Sequence, residues 1–224
     1  MGILTMTELD ADYTLDELRP LLAAELPRHA GFDGWNQKAV ASAAEALGVD
    51  PAVAGLAFSD AVEMIDAWFA SIDAAMLAAL PLESLGKMKV RERITALVEA
   101  RLAQLAPHRE ALRRALTVLA LPTNIRRATR LGWRAADIMW HAAGDDATDY
   151  NHYSKRAILG SVYAATLSVF INDESESHAD SRAFLARRID GIMRFEKTKA
   201  KLTSRRGQGF RLSRFLGQLR YPAA

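Results

Sequence analysis

Residues 37–58 read QKAVASAAEALGVDPAVAGLAF. Ala, Val and Leu recur at helical spacing over 37–47, Gly48 can adopt the left-handed backbone that stops a helix, and Asp50-Pro51 can start another. The spacing predicts a helix, a Leu-Gly-Val turn and a second short helix over 51–57. Working outward, Ala-rich segments of the same periodicity run almost end to end. The further helices predicted are 15–30, 60–80, 86–105, 107–120, 123–143, 148–171, 179–200 and 209–220. Pro81, Pro107 and Pro122 stand where helices should begin or end, and Gly144 where one should stop. No segment reads as a strand, so the fold class expected is all-α, with about ten helices.

This helix-turn-helix resembles that of TetR-type regulators, in which it follows one longer helix and precedes a long helical ligand-binding body. A regulator reading DNA needs Lys or Arg for phosphates and polar side chains for base edges. Ala39 to Gly86 contains no basic residue but seven acids, Glu45, Asp50, Asp60, Glu63, Asp66, Asp73 and Glu83. A ligand-responsive regulator is the alternative reading. These charges argue against it, and no nucleic-acid partner is expected. The organisation expected is a degenerate helix-turn-helix region (1–58), a helical body (59–203) and a linker with a terminal helix (204–224).

The net charge of +2 conceals an asymmetry: from Arg194 onward nine Lys and Arg face Glu196 alone, leaving the preceding chain net negative. Ser204 to Gly209, SRRGQG, reads as a flexible tether. Beyond it, at about 100° per residue, Leu212, Phe215, Leu216 and Leu219 form one apolar stripe. Arg211, Arg214 and Arg220 lie opposite, and Phe210 sits near the start. That pattern predicts a helix lying in the interface of an anionic membrane, each fully inserted apolar side chain contributing about 1.5–3 kcal/mol and less in the wet interface. The alternative is a helix docked on protein. No cysteine is present, which excludes thiolate chemistry. The acidic N-terminus lacks a basic or long apolar leader. The location expected from these features is bacterial cytoplasm, peripheral on the inner membrane.

Gly144 to Arg156, GDDATDYNHYSKR, holds the densest chemistry. As a metal site, Asp149 and His152 lie one helical turn apart, with Asp145 or Asp146 nearby, but no second acid-x-x-His occurs to complete a di-iron bundle. The same pair can be read as an acid–base dyad. The structural alternative is a corner at which Gly144 ends one helix and Asp145, Asp146 or Thr148 caps the next.

The segment Trp140 to Asp190 resembles the core of the COQ-nine family of ubiquinone-biosynthesis accessory proteins. The resemblance is carried by Trp140, Ala143-Gly144-Asp145, Thr148-Asp149, Asn151, Tyr153, Lys155-Arg156-Ala157, Tyr163, Thr166, Asp173 and the run FLARRID from Phe184. The family often has Trp where this chain has His152. The resemblance implies a TetR-like fold without catalytic residues, metal or cofactor, and an apolar cavity for an isoprenoid quinone intermediate or phospholipid. Candidates to line that cavity are Trp68, Phe69, Met139, Trp140, Leu159, Val162, Tyr163 and Phe170. It also implies a membrane-bound last helix and a surface for the di-iron demethoxyubiquinone hydroxylase, here Asp149, Asn151, His152, Tyr153 and Arg156. Gly160, Ser161, Ala164, Ala165 and Ser168 form a small-residue face on one helix. By analogy with the TetR fold this face can serve a homodimer, and close packing within one chain explains it equally well.

Overall fold

The computed structural model describes residues 13–145 and 150–192. All regular elements among these residues are helical, so the all-α expectation holds. In chain order they are α1 (Leu15–Asp33), α2 (Gln37–Leu47), α3 (Pro51–Ala54), α4 (Ala61–Ala79), α5 (Leu82–Gly86), α6 (Val90–Leu105), α7 (Arg109–Leu119), α8 (Ile125–Ala142) and α9 (Tyr150–Phe170). Residues 179–192 form a further helix, α10. By compactness the chain divides into two units, Met1–Leu185 and Ala186–Ala224.

Local chemistry accounts for most helix ends. Thr14 and Glu17 close a capping box on α1, Asn36 Oδ1 accepts from the Lys38 and Ala39 N–H groups, and Asp60 Oδ1 accepts from Glu63 N–H. Gly48 ends α2 at φ 70°, donating to Glu45 O while Val49 N–H reaches back to Ala44 O. Some spans differ from the sequence reading. The second helix of the helix-turn-helix stops at Ala54, one turn long, the helix expected over 86–105 begins at Val90, and Leu82–Gly86 make the single turn α5. Short 3₁₀ turns carry Pro107 and Pro122 into α7 and α8.

In the first unit, α1 lies against α2, α4 and α7, and α8 packs on α9. Leu18, Leu22 and Leu26 of α1 are fully buried, as are Met64, Ile65 and Trp68 of α4. Each such side chain contributes about 1.5–3 kcal/mol relative to exposure. Trp35, between α1 and α2, stacks on Trp68 at 5.1 Å and donates from Nε1 to Ala111 O at 3.0 Å, tying that link to α7.

Within this core lies a charged pair. Arg101 of α6 is ion-paired with Asp73 of α4, both nearly fully buried. Arg101 Nε also donates to the Tyr163 hydroxyl of α9 at 2.7 Å. Burial pushes the Tyr163 hydroxyl pKa up, against the pull of Arg101, so it stays protonated. Arg134 of α8 extends the chain outward: its Nε lies 3.7 Å from Asp73 Oδ2, and its Nη1 is ion-paired with Asp66.

The link after α9 turns through Ser177 and His178, both with left-handed φ (52° and 55°), an uncommon choice for residues with a side chain. Asp173 supports it, its carboxylate accepting from Ser175 N–H and Oγ and from Ser181 N–H and Oγ. Burial alone would raise the Asp173 pKa. The hydrogen bonds from Ser175 and Ser181 outweigh burial and hold it well below the ordinary carboxylate range. A carboxyl more acidic in the folded than the unfolded chain stabilises the fold above its unfolded pKa, and that contribution fades as pH falls below about 4. Asp173→Asn is therefore expected to cost about 1.5–3 kcal/mol at pH 7, by denaturant unfolding, and to unfold with a shallower pH dependence on the acid side.

Candidate docking site at the start of α9

The end of α8 is set by one glycine. Gly144 has φ 83°, its N–H donates to His141 O at 2.9 Å, and Asp145 N–H donates to Trp140 O at 3.0 Å, the paired bonds of a Schellman stop. A side chain at position 144 would also meet Arg93 Nη1 at 3.1 Å. Arg93, from α6, donates from Nη1 to Ala143 O (2.8 Å), from Nε to Met88 O (2.9 Å) and from Nη2 to Gly86 O (3.2 Å).

Across this corner, Arg156 of α9 is fully buried. Its Nε is ion-paired with Asp137 of α8, and its Nη1 reaches Asp145 Oδ2 at 3.3 Å and His152 O at 3.2 Å. Lys155 Nζ meets the other Asp145 oxygen at 2.5 Å and lies 5.4 Å from the Trp140 ring centroid. Trp140 Nε1 donates to Lys155 O at 3.0 Å. Partial burial raises the Asp145 pKa, but the hydrogen bonds and charges of Lys155 and Arg156 prevail and lower it. Trp140, Asp137, Asp145, Lys155 and Arg156 thus clamp α8 to the first turns of α9.

The surface above the clamp is aromatic. Tyr153 is 61% exposed, its ring 6.1 Å from that of Trp133 and 5.1 Å, edge-on, from that of His152. Of the expected contact residues, His152 and Tyr153 therefore lie together. Arg156 lies beneath them, its charge committed to two aspartates, so it shapes the surface without being part of it. Asp149 and the Asn151 side chain lie outside the described residues, so the Asp149–His152 pair and the caps expected at 146–149 do too. Among the described residues, no three His, Cys, Asp or Glu are grouped to hold a metal ion.

Not all of the expected cavity residues lie together. Trp68 and Phe69 touch at 5.2 Å, and Arg101 lies between the rings of Phe69 (5.8 Å) and Tyr163 (5.3 Å). Met139, Leu159 and Val162 are buried on the facing helices α8 and α9. Trp140 belongs to the clamp, whereas Phe170 is at the other end of α9, about 30 Å along a helix of 21 residues, between Arg109 (5.7 Å) and His178 (4.8 Å). The small-residue face divides. A side chain added at Gly160 would lie 3.6 Å from Gly132 O of α8, whereas Ser161, Ala164 and Ser168 are exposed. Phe210 and the rest of the predicted membrane helix lie outside the described residues. No helix among the described residues is long and apolar enough to cross a membrane.

A family model described as COQ9 matches residues 125–196, which include α8, the Gly144 corner and α9. The rat protein named "Ubiquinone biosynthesis protein COQ9, mitochondrial" is 35% identical over 178 residues, 76% of this chain and 57% of its own length. Its human counterpart is 33% identical, over 88% of this chain and 64% of its own length. COQ9-B of Xenopus laevis is 30% identical over 206 residues, covering 88% of this chain and 70% of that protein. The chain belongs to the COQ9 family. It spans about three fifths of the length of the rat and human COQ9 proteins. The expectation of a bacterial cytoplasmic location is corrected by these relatives, each of which is named a mitochondrial protein. It rested on the lack of a recognisable leader, and a leader's absence from a sequence shorter than its relatives carries no information about location. A TetR transcriptional regulator from Nitrosomonas europaea superposes with a TM-score of 0.62 at 23% identity, covering 77% of this chain and 96% of the regulator. That likeness establishes the TetR-like fold.

Proposed function

We propose that this COQ9-family chain is a non-catalytic accessory protein of ubiquinone biosynthesis. It binds an isoprenoid quinone intermediate and presents it to the di-iron demethoxyubiquinone hydroxylase at a membrane surface. The observation that carries this reading is the corner between α8 and α9. Trp140, Asp145, Lys155 and Arg156 of the family's signature are spent on holding a clamp, while Tyr153 and Trp133 are left exposed above it with His152 half-buried beside them. Aromatic side chains on a rigid support suit a protein-docking surface. The physical need is plain, since a prenyl chain resists leaving a bilayer and a carrier must shield it while its head group reaches an enzyme.

Three further parts belong to the same reading. The terminal segment, whose sequence predicts a helix with Arg211, Arg214 and Arg220 opposite Leu212, Phe215, Leu216 and Leu219, attaches reversibly to anionic lipid. The cargo lies among the apolar residues of α4, α8 and α9, where Phe69, Met139, Leu159 and Val162 offer aliphatic and aromatic walls. The exposed face of Ser161, Ala164 and Ser168 receives a second copy of the chain. The regulator alternative is disfavoured by α3, a single turn on which Val53, and just beyond it Leu56, are exposed where base-reading polar groups are needed.

Solvent extraction of the purified protein followed by mass spectrometry is expected to recover a prenylated quinone or its biosynthetic intermediate. Recovery of phospholipid alone from cells making ubiquinone would overturn the assigned cargo.

A further inference from the structure

Between α4 and α6 the chain turns through α5, and this corner carries aliphatic side chains open to solvent. Leu82 is 70% exposed, Val90 51% and Leu77 40%. Lys87 and Lys89 stand exposed between them. Lys87 is 3.8 Å from Glu83, with both side chains largely in solvent. The corner is nevertheless fixed. Leu85 is buried beneath it, and Arg93 donates to the carbonyls of Gly86, Met88 and Ala143. The last of these bonds places the corner at the Gly144 end of α8, beside the start of α9.

We infer that this corner is a second membrane contact, seated among the head groups of an anionic phospholipid bilayer. The inference rests on the reading of the chain as a membrane-associated carrier. Three aliphatic side chains fall far short of the roughly 20–30 residues a side of a standard protein interface, whereas a few apolar side chains with basic neighbours are what an interfacial contact uses. Charge selects the orientation. No basic residue occurs from Ala39 to Gly86, and of the acids there Asp60, Glu63, Asp66 and Asp73 are paired with arginines of other helices, so the cations that draw an anionic leaflet to this corner are the exposed Lys87 and Lys89. With Leu82 and Val90 in the head groups, Arg93 holds the Tyr153 surface close to the bilayer, where a membrane-associated hydroxylase can reach it.

The chain has no cysteine, so Leu82→Cys and Val90→Cys each accept one environment-sensitive fluorophore in the full-length protein. With vesicles of equimolar phosphatidylcholine and phosphatidylglycerol, emission at both positions is expected to shift to the blue and rise several-fold. A label on Phe32→Cys, 86% exposed near the end of α1, should remain unchanged. Combining Leu82→Glu with Val90→Glu should lower partition onto the same vesicles about tenfold, since both side chains are exposed and the fold does not depend on them. Vesicle-bound protein whose labels at 82 and 90 stay in water would overturn the inference. So would an equal response at Phe32, or a response that requires added hydroxylase instead of lipid. A protein that yields no quinone on extraction but shows the labelled shifts refutes the cargo assignment and supports the membrane contact.

Discussion

Asp73→Ala is expected to lower the unfolding free energy by about 3–5 kcal/mol, measured by denaturant titration. The reason is what the substitution leaves behind. Arg101 is nearly fully buried, its guanidinium faces Asp73, and its remaining neighbours are the Tyr163 hydroxyl and the rings of Phe69 and Tyr163. Without the carboxylate a positive charge stays in the core with no counter-charge, and keeping it desolvated there costs far more than the packing lost with the carboxylate. Arg101→Met should cost a comparable amount by stranding Asp73, which then has only Arg134 at 3.7 Å. The double variant Asp73→Leu with Arg101→Met should recover most of the loss, because two apolar side chains of similar volume need no partner. Single variants within about 1 kcal/mol of the parent would show that water reaches the pair.

Tyr153→Ala should weaken binding to the di-iron hydroxylase by about 30-fold or more, roughly 2 kcal/mol, the scale of an aromatic hot spot. Its unfolding free energy should remain within about 0.5 kcal/mol of the parent, because the ring is mostly exposed and supports only Trp133 and His152. Arg156→Met provides the contrast. It strands Asp137, leaves Asp145 to Lys155 alone and loosens α9 at the corner, so stability and hydroxylase affinity should fall together. Calorimetric titration beside denaturant unfolding separates the two cases. Equal hydroxylase affinity in the Tyr153 variant rejects the docking assignment.

The fold was largely legible because its punctuation is chemical. Pro81, Pro107 and Pro122 sit at helix boundaries, and Gly48 and Gly144 adopt the left-handed backbone their positions required. Where the spans differ, the cause is short-range. Gly55, a poor helix former, comes one turn after Pro51 and favours an early end to the helix between them. In 82–86 one turn forms because Leu85 has a place in the core, which periodicity over five residues cannot reveal.

The candidate site was legible in its composition but not in its layers. Arg156 and Tyr153 stand three residues apart, and both are residue types favoured at interfaces. Arg156 turns inward because Asp137, nineteen residues earlier, lies opposite it, a pairing that depends on how α8 packs on α9. The buried pair did leave a trace. Asp73 falls in register with Phe69 and Met76 on the apolar side of α4, and Arg101 with Leu97 and Leu105 on that of α6. Two opposite charges within apolar stripes on different helices suggest a buried pair.

On the proposed reading the chain holds a prenylated quinone precursor and leaves it chemically unchanged. Incubating the pure protein with one such precursor, removing free lipid and weighing the bound species by native mass spectrometry tests this most directly. One precursor per chain at its starting mass is expected, converted only when hydroxylase is added. A bound species of altered mass without the enzyme, or protein carrying no precursor at all, would contradict it.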